Sequence, residues 1–370
     1  MSGTTAVMKR LLVAAVTVAA CAGWGHSAEA STYITTELGN AGPSNWAILG
    51  LGGVNVNMTN DVLSGPGQTV GNVGVASSGS ISLNSSTPPA IIGDLYLGNT
   101  VTWSGGAGQV SGSIFTSQDA LLGTSGPAGN TNPALASGAV QNALQAYQDF
   151  NVLTVDQTIS GNITSSMTLS CNAAQLIDNT CVVAVTGSIQ LGSSDILTLS
   201  GTTSDESFIL TVAGGITLNG GSNFSGGQIR LAGTLNSPDD AAIVTNKVAT
   251  GDTVTAGGGS SNPCDATSQA NLGAALSALL CPDPTSTNTL PNAFVQGVLL
   301  SPEGGINLSP GMVIGEIIGG GNEIKLAKGS QAIQVAAAAP PTAVPAPASL
   351  VLLAAALVGV GAVRRGLGLA

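Results

Sequence analysis

The side chains able to do chemistry are few, and their positions restrict what they can do. The 370-residue chain has a single histidine, His26, inside an N-terminal segment that reads as removable. A Ser-His or Cys-His nucleophilic mechanism and histidine metal ligation are therefore excluded for the remainder. Four cysteines follow that segment: Cys171, Cys181, Cys264 and Cys281. Their spacing suggests two local pairs, Cys171 with Cys181 and Cys264 with Cys281, among the three connectivities that four cysteines allow. Export to an oxidising compartment makes disulfides the default, each stabilising its loop by about 3 kcal/mol. Neither pair has the short C-x2-C spacing of a zinc site. The acids are scattered, and the adjacent pairs Asp205-Glu206 and Asp239-Asp240 read as solvated loops. A hydrolase needs two facing carboxylates, and a lyase needs a cation-assembled carboxylate cluster with a basic residue beside the abstracted proton. Only Arg230 with Asp205 or Glu206 points toward either chemistry, so the chain reads as a non-enzyme with no metal or other cofactor.

Charge narrows the partners. The whole chain carries 8 basic and 19 acidic residues. With Lys9, Arg10 and Glu29 leaving in a leader and Arg364 and Arg365 in a tail, four basic residues (Arg230, Lys247, Lys325, Lys328) face 18 acidic ones, a formal charge of −14. Such a body has no electrostatic footprint for nucleic acid.

Both ends read as addresses. Lys9-Arg10 precedes the apolar run Leu11 to Ala20, and Ala28-Glu-Ala30 offers an A-x-A cleavage site for signal peptidase, so residues 1–30 form a signal peptide. Val18-Ala-Ala-Cys21 is a rival lipoprotein box. At the other end an Ala/Pro linker, 336–343, leads to Val344-Pro345-Ala346-Pro347, an apolar run from Leu350 to Val363, and Arg364-Arg365. That run has 14 residues, short of the roughly 20 that span a bilayer stably. The arginines would keep its end in the cytoplasm. A transient membrane anchor fits this pattern better than a permanent transmembrane helix.

Between the ends, one five-residue phrase recurs, Gly-x-aliphatic-x-aliphatic. It appears at Gly71–Val75, Gly79–Leu83, Gly93–Leu97, Gly187–Leu191, Gly214–Leu218, Gly227–Leu231 and Gly304–Leu308, and with Asn for Gly at Asn322–Leu326. Alternation at period two puts both aliphatics on one strand face, and the Asn/Gly/Ser runs between copies are turn chemistry. A five-residue strand cannot bury its apolar face alone, so many must stack. With 52 glycines, 3% aromatic and 7% charged residues, narrow coils around an aliphatic interior follow. The expected fold is all-β, a parallel β-helix (β-solenoid) over residues 31–335, with a flanking amphipathic helix and a second short helix.

Taken in order, 31–52 reads as an irregular segment capping the first coil. The flanking helix spans about 133–150: Asn132 is an N-cap, Pro133 sits at N1, and Leu135, Ala139, Val140, Ala143, Leu144 and Tyr147 recur at helical spacing, weakened by Gly138. Residues 232–263 read as a loop, flexible at Gly257–Ser261. The second helix, about 268–280, carries Leu272, Ala275, Leu276 and Leu279 on one face, stops at Pro282 and is bracketed by Cys264 and Cys281.

The tail Val344-Pro345-Ala346-Pro347, apolar run and Arg364-Arg365 resembles the PEP-CTERM sorting signal of exported Gram-negative bacterial proteins, with Ala346 where that motif has Glu. The resemblance implies removal by an exosortase, delivery to the cell surface or extracellular matrix, and association with exopolysaccharide in a biofilm. The body, through Gly297–Pro302, Ile306–Pro310 and Ile314–Gly320, is similar to β-solenoids of PEP-CTERM and choice-of-anchor proteins, which implies an adhesin-like surface role. More distantly it resembles ice-binding solenoids, which also carry a helix alongside. The function expected first is a secreted, non-enzymatic adhesive protein; the alternatives are a polysaccharide-active enzyme or an ice-binding-like protein. Outward positions are expected at Ser80, Ser82, Asp94, Tyr96, Ser188, Gln190, Thr217, Gln228, Arg230, Asn307, Glu323 and Lys325, with Tyr96 and Trp103 as aromatic sugar platforms. As an ice-binding array these outward positions read as too varied.

Overall fold

The computed structural model describes residues 33–334 apart from 44, 53, 59–68, 77–78, 85–88, 99, 117–137, 175, 247–251, 321–322 and 328. The leader 1–30, the linker and the sorting tail 344–370 lie outside the described residues.

The chain begins with helix α1 (Tyr33–Leu38) and winds through β1 (Ile48–Gly50), β2 (Asn55–Met58), β3 (Thr69–Val70), β4 (Val73–Val75), β5 (Ser80–Leu83), β6 (Ile91–Ile92), β7 (Leu95–Leu97), β8 (Thr102–Ser104) and β9 (Ile114–Phe115). Helix α2 (Ala139–Val152) follows. Winding resumes with β10 (Gln157–Ile159), β11 (Met167–Leu169), β12 (Thr180–Val185), β13 (Ile189–Leu191), β14 (Ile196–Gly201), β15 (Ser207–Val212), β16 (Ile216–Gly220), β17 (Gln228–Gly233), β18 (Ala241–Thr245) and β19 (Asp252–Gly258). An excursion carries β20 (Ser260–Ser261), helix α3 (Ala266–Leu280) and β21 (Leu290–Pro291), before β22 (Phe294–Ser301), β23 (Gly305–Leu308), β24 (Met312–Gly319), β25 (Glu323–Leu326) and β26 (Gln331–Ile333).

Apart from β20 and β21, which pair antiparallel with each other, these strands stack in parallel into a solenoid with three faces. The first face runs β10-β12-β15-β18-β22-β24-β1-β4-β7-β9. The second is the eight-stranded sheet β13-β16-β19-β23-β25-β2-β5-β8, and the third joins β11, β14 and β17 to β22 and β24 and continues through β26, β3 and β6. The stacking order is not the chain order. The first coils in sequence sit on the last: Ile48 pairs with Ile317 and Asn55 with Glu323. Corner side chains bond across this seam and on along the coils beyond it. The amide of Asn72 donates to Gln334 Oε1 (3.1 Å), that of Asp94 to Asn72 Oδ1 (3.0 Å) and that of Ser113 to Asp94 Oδ1 (2.8 Å).

Inside, columns of aliphatics run along each face, such as Val183, Leu210, Ile243, Leu299, Ile317, Ile48, Val73 and Leu95 on the first. β22 and β24 are long enough to serve two faces. They turn the corner at Gly297 and Gly315 (φ 130° and 133°), where any side chain would be strained and a Cβ on Gly315 would meet Gly297 and Pro238.

The first face is covered on its outer side too. Ala139, Val140, Ala143, Ala146 and Phe150 of α2, with Ile34 and Leu38 of α1, pack on Val182, Ile209, Ala242, Val244, Val298, Leu300 and Ile318. Burial on both sides is why these strands read as unbroken apolar runs rather than alternating ones. The small residues of α2 let the helix lie close. Gly138 stands at its N-cap with φ 69°, so α2 starts after that residue; the expected start at Asn132, Pro133 and Leu135 lies outside the described residues. Residues 33–47 do not cap a coil end either. The described residues among them form a strap along the first face, with Ile34, Leu38, Ala41 and Trp46 in the apolar layer, Trp46 edge-on to Tyr96 (5.2 Å) and Tyr96 stacked on Phe115 (4.8 Å).

Two further expectations are corrected. Residues 232–263 contain β18, β19 and β20 rather than loop, because Ala and Gly there let neighbouring coils approach without a strong apolar signal. In α3 the backbone breaks at Gly273 (φ 77°), and the buried stripe is Leu272, Leu276 and Leu280, leaving Ala275 and Leu279 exposed. This helix covers the third face through Phe294, Met312 and Ile314. The expected disulfides, Cys171–Cys181 and Cys264–Cys281, are both present, the second closing the α3 excursion.

Candidate ligand-binding face

Helices lie on the first and third faces, whereas the outward side chains of the second face are exposed or half-buried. Its strands alternate cleanly. Inward, Ile189, Ile216, Val254, Ile306, Ile324, Val56 and Ile81 align in one column. Outward, register aligns Gln190, Thr217, Thr255, Asn307, Lys325, Asn57, Ser82 and Ser104, one from each of eight strands. A second outward column runs Glu323, Asn55, Ser80 and Thr102. Strand spacing and residue rise set a mesh of about 4.8 Å across strands and about 6.7 Å along them.

The side chains on this mesh bond to each other across coils. Thr255 Oγ1 donates to Thr217 Oγ1 (3.3 Å), Ser80 Oγ to Asn55 Oδ1 (2.8 Å), Ser104 Oγ to Ser82 Oγ (3.2 Å) and Asn307 Nδ2 to Asp252 Oδ2 (3.0 Å). Such bonds fix rotamers before any ligand arrives, which lowers the entropy cost of binding. Among the described residues these columns and their bonded partners carry charge on β19, as Asp252, and on β25, as Glu323 and Lys325.

Several residues singled out from sequence do not belong to this face. Tyr96 is fully buried beneath the strap, and Gln228 is buried with Nε2 donating to the Asn292 carbonyl. Arg230 belongs to the third face, where it donates to Gln228 Oε1 (2.6 Å) and to the carbonyls of Asn271 (2.6 Å) and Phe224 (3.1 Å) and lies over the Phe294 ring. Burial lowers its pKa to about 10. Trp103 pairs with Ile81 and so continues the inward column; its 36% exposure marks the end of the core.

No catalytic constellation forms from the candidates. Glu206 is buried and accepts from the amides of Thr202 (2.6 Å) and Thr203 (3.0 Å), so it is not a solvated loop residue and is not brought to Arg230. Asp239 is likewise buried, and desolvation, with Asp240 beside it, raises its carboxyl to about 6. Among the described residues no group of three or more His, Cys, Asp or Glu is placed to hold a metal ion. No described helix is long and apolar enough to cross a membrane.

No family model matches the chain, and no curated sequence does. Solved structures do. The neighbours are ice-binding proteins. One from the ascomycete Antarctomyces psychrotrophicus has 11% identity and a TM-score of 0.45, covering 80% of this chain and 97% of that one. The DUF3494 domain of Shewanella frigidimarina ice-binding protein 1 has 14% identity and a TM-score of 0.44, covering 80% and 96%. An ice-binding protein from an Arctic yeast has 18% identity and a TM-score of 0.42, covering 82% and 96%.

Proposed function

We propose that this chain is an exported, non-enzymatic solenoid protein whose second face binds an extended, regular, uncharged surface, and that this surface is ice. The observation that carries the reading is the in-register column from Gln190 to Ser104, whose side chains are exposed or half-buried on a sheet that no described helix covers. Hydroxyls and amides held at a fixed repeat can order water at the same repeat, and a mesh whose charges are few, at Asp252, Glu323 and Lys325, imposes few of the tight hydration shells that would disrupt a lattice. Incorporation into slowly growing ice tests it: the folded protein should be enriched in the ice fraction relative to an inert protein of similar size, and exclusion into the liquid would count against it.

A second reading, adhesion to extracellular polysaccharide, is favoured by one specific feature. The column mixes Gln, Thr, Asn, Lys and Ser rather than repeating one residue, and mixed donors and acceptors suit sugar hydroxyls. Co-sedimentation with the producer's own exopolysaccharide separates the two readings.

Delivery belongs to the same proposal. The signal peptide ending at Ala28-Glu-Ala30, and the PEP-CTERM-like tail with its Val344-Pro345-Ala346-Pro347 motif and Arg364-Arg365, would route the body through signal peptidase and an exosortase-type enzyme to the surface of a Gram-negative cell after transient anchoring. Mass spectrometry of the native protein should find both termini trimmed; an intact C-terminus in inner-membrane fractions would favour a simple anchor.

A further inference from the structure

Glu316 is the one residue of β24 whose chemistry contradicts its place. In register it follows Val182, Ile209, Ala242 and Val298 on the outer side of the first face. That column lies in the apolar layer shared with Ile34, Leu38 and Trp46 of the strap. Its side chain is fully buried, and neither carboxylate oxygen has a hydrogen-bond partner. An ionised, unpartnered carboxylate is not tolerated in such surroundings, so the group is carried there as the neutral acid.

The titratable groups around it offer no compensation. Asp239 and Asp240 come from the turn Pro238–Asp240, which packs on β22, β24 and α1; Tyr33 and Glu37 come from α1, and Tyr147 and Asp149 from α2. β1, β18 and β22 contribute none, and there is no lysine or arginine on any of these elements. Burial, then Asp239, pushes the Glu316 carboxyl well above its ordinary range. β24 is also the seam strand. It pairs with β22 on one side and β1 on the other, and the amide next to Glu316, that of Ile317, donates to the Ala47 carbonyl at the end of the strap (2.9 Å).

We propose that Glu316 is a proton latch at this seam: while protonated it lets the strap, residues 33–47, close over β24 and β1, and its ionisation at rising pH opens the strap to admit water, leaving the rest of the solenoid wound. The open form would hold Glu316 as an ordinary carboxylate, whereas the closed form keeps the proton. Between the two pKa values the opening equilibrium therefore rises tenfold per pH unit, the signature of one proton released on opening.

Hydrogen exchange of the full chain, corrected for intrinsic rates, reads this out. Above the ordinary carboxylate range, opening constants of amides in 47–50 and 312–319 should climb with pH, by up to tenfold per pH unit, while those in β16 stay flat. Glu316→Gln keeps the shape and removes the proton, so its slope should vanish. Asp239→Asn should retain it. A flat wild type, an unchanged slope in Glu316→Gln, a slope lost in Asp239→Asn, or an equal rise in β16 would each overturn the latch. If the Gln variant does not fold, the wild-type slope and its confinement to the seam still decide.

Discussion

Ile48 and Ile317, 269 positions apart, lie side by side in parallel register, joining the first coil of the chain to the last. The solenoid is thus wound from both ends of the sequence toward a shared seam. Because coils stabilise one another only through neighbours, the seam joins two stacks that share no other strand pairing among the described residues. Ile317→Asp would place an unpaired charge in the core at this junction and should cost roughly 4 kcal/mol or more. Urea unfolding should show the loss, whereas a change under 1 kcal/mol would contradict the register.

On the open face the same reasoning separates neighbours by one residue. Ile216 and Leu218 are inward and buried, and Thr217 between them is exposed. Aspartate at either inward position should unfold the body, while Thr217→Asp should leave the melting temperature nearly unchanged. Equal tolerance at all three positions would remove the alternation.

Tyr96 has a buried hydroxyl with no hydrogen-bond partner, although its ring packs between Trp46 and Phe115. Tyr96→Phe should therefore be neutral or stabilising by up to about 1 kcal/mol. Calorimetry that found a clear loss would place a partner on that hydroxyl.

For Asp239 the folded pKa of about 6 lies above the ordinary 3.8. A raised carboxyl pKa means the folded state holds the proton more tightly, so this residue's contribution is full below pH 3.8 and is lost as pH rises toward 6. Asp239→Asn should remove that decline and gain at most about 3 kcal/mol at pH 7. Denaturation midpoints of the two proteins at pH 4 and pH 7 check it: the gap should widen with pH, and a constant gap would contradict the assignment.

Much of this was legible in the sequence because the strongest signals were local. Five of the eight Gly-x-aliphatic-x-aliphatic phrases, those at 79, 187, 214, 304 and 322, became strands of the open second face. One-sided burial is what writes an alternating pattern. The first face left only apolar runs such as Phe208-Ile209-Leu210, whose outer cover was invisible without knowing where α1 and α2 lie. Nor does any local signal announce that β1 will sit on β24. The outward phrase residues were read as one varied set because their division among three faces depends on that stacking; once divided, Thr217 and Thr255 become neighbours. Tyr96, Glu206 and Asp239 were misplaced for the same reason, since the groups that bury them are distant in the chain.

The proposal for the second face meets its most direct test in ice incorporation by paired variants. Thr255 stands mid-column on the open mesh, whereas Thr198, half-exposed on β14, points outward from the third face. Thr255→Tyr would raise a bulky ring above the mesh without touching the core, and Thr198→Tyr is the matched control. The account predicts that wild type and Thr198→Tyr enter growing ice alike, while Thr255→Tyr, equally folded, is excluded at least tenfold. Equal incorporation of all three, or exclusion of the wild type, would contradict it.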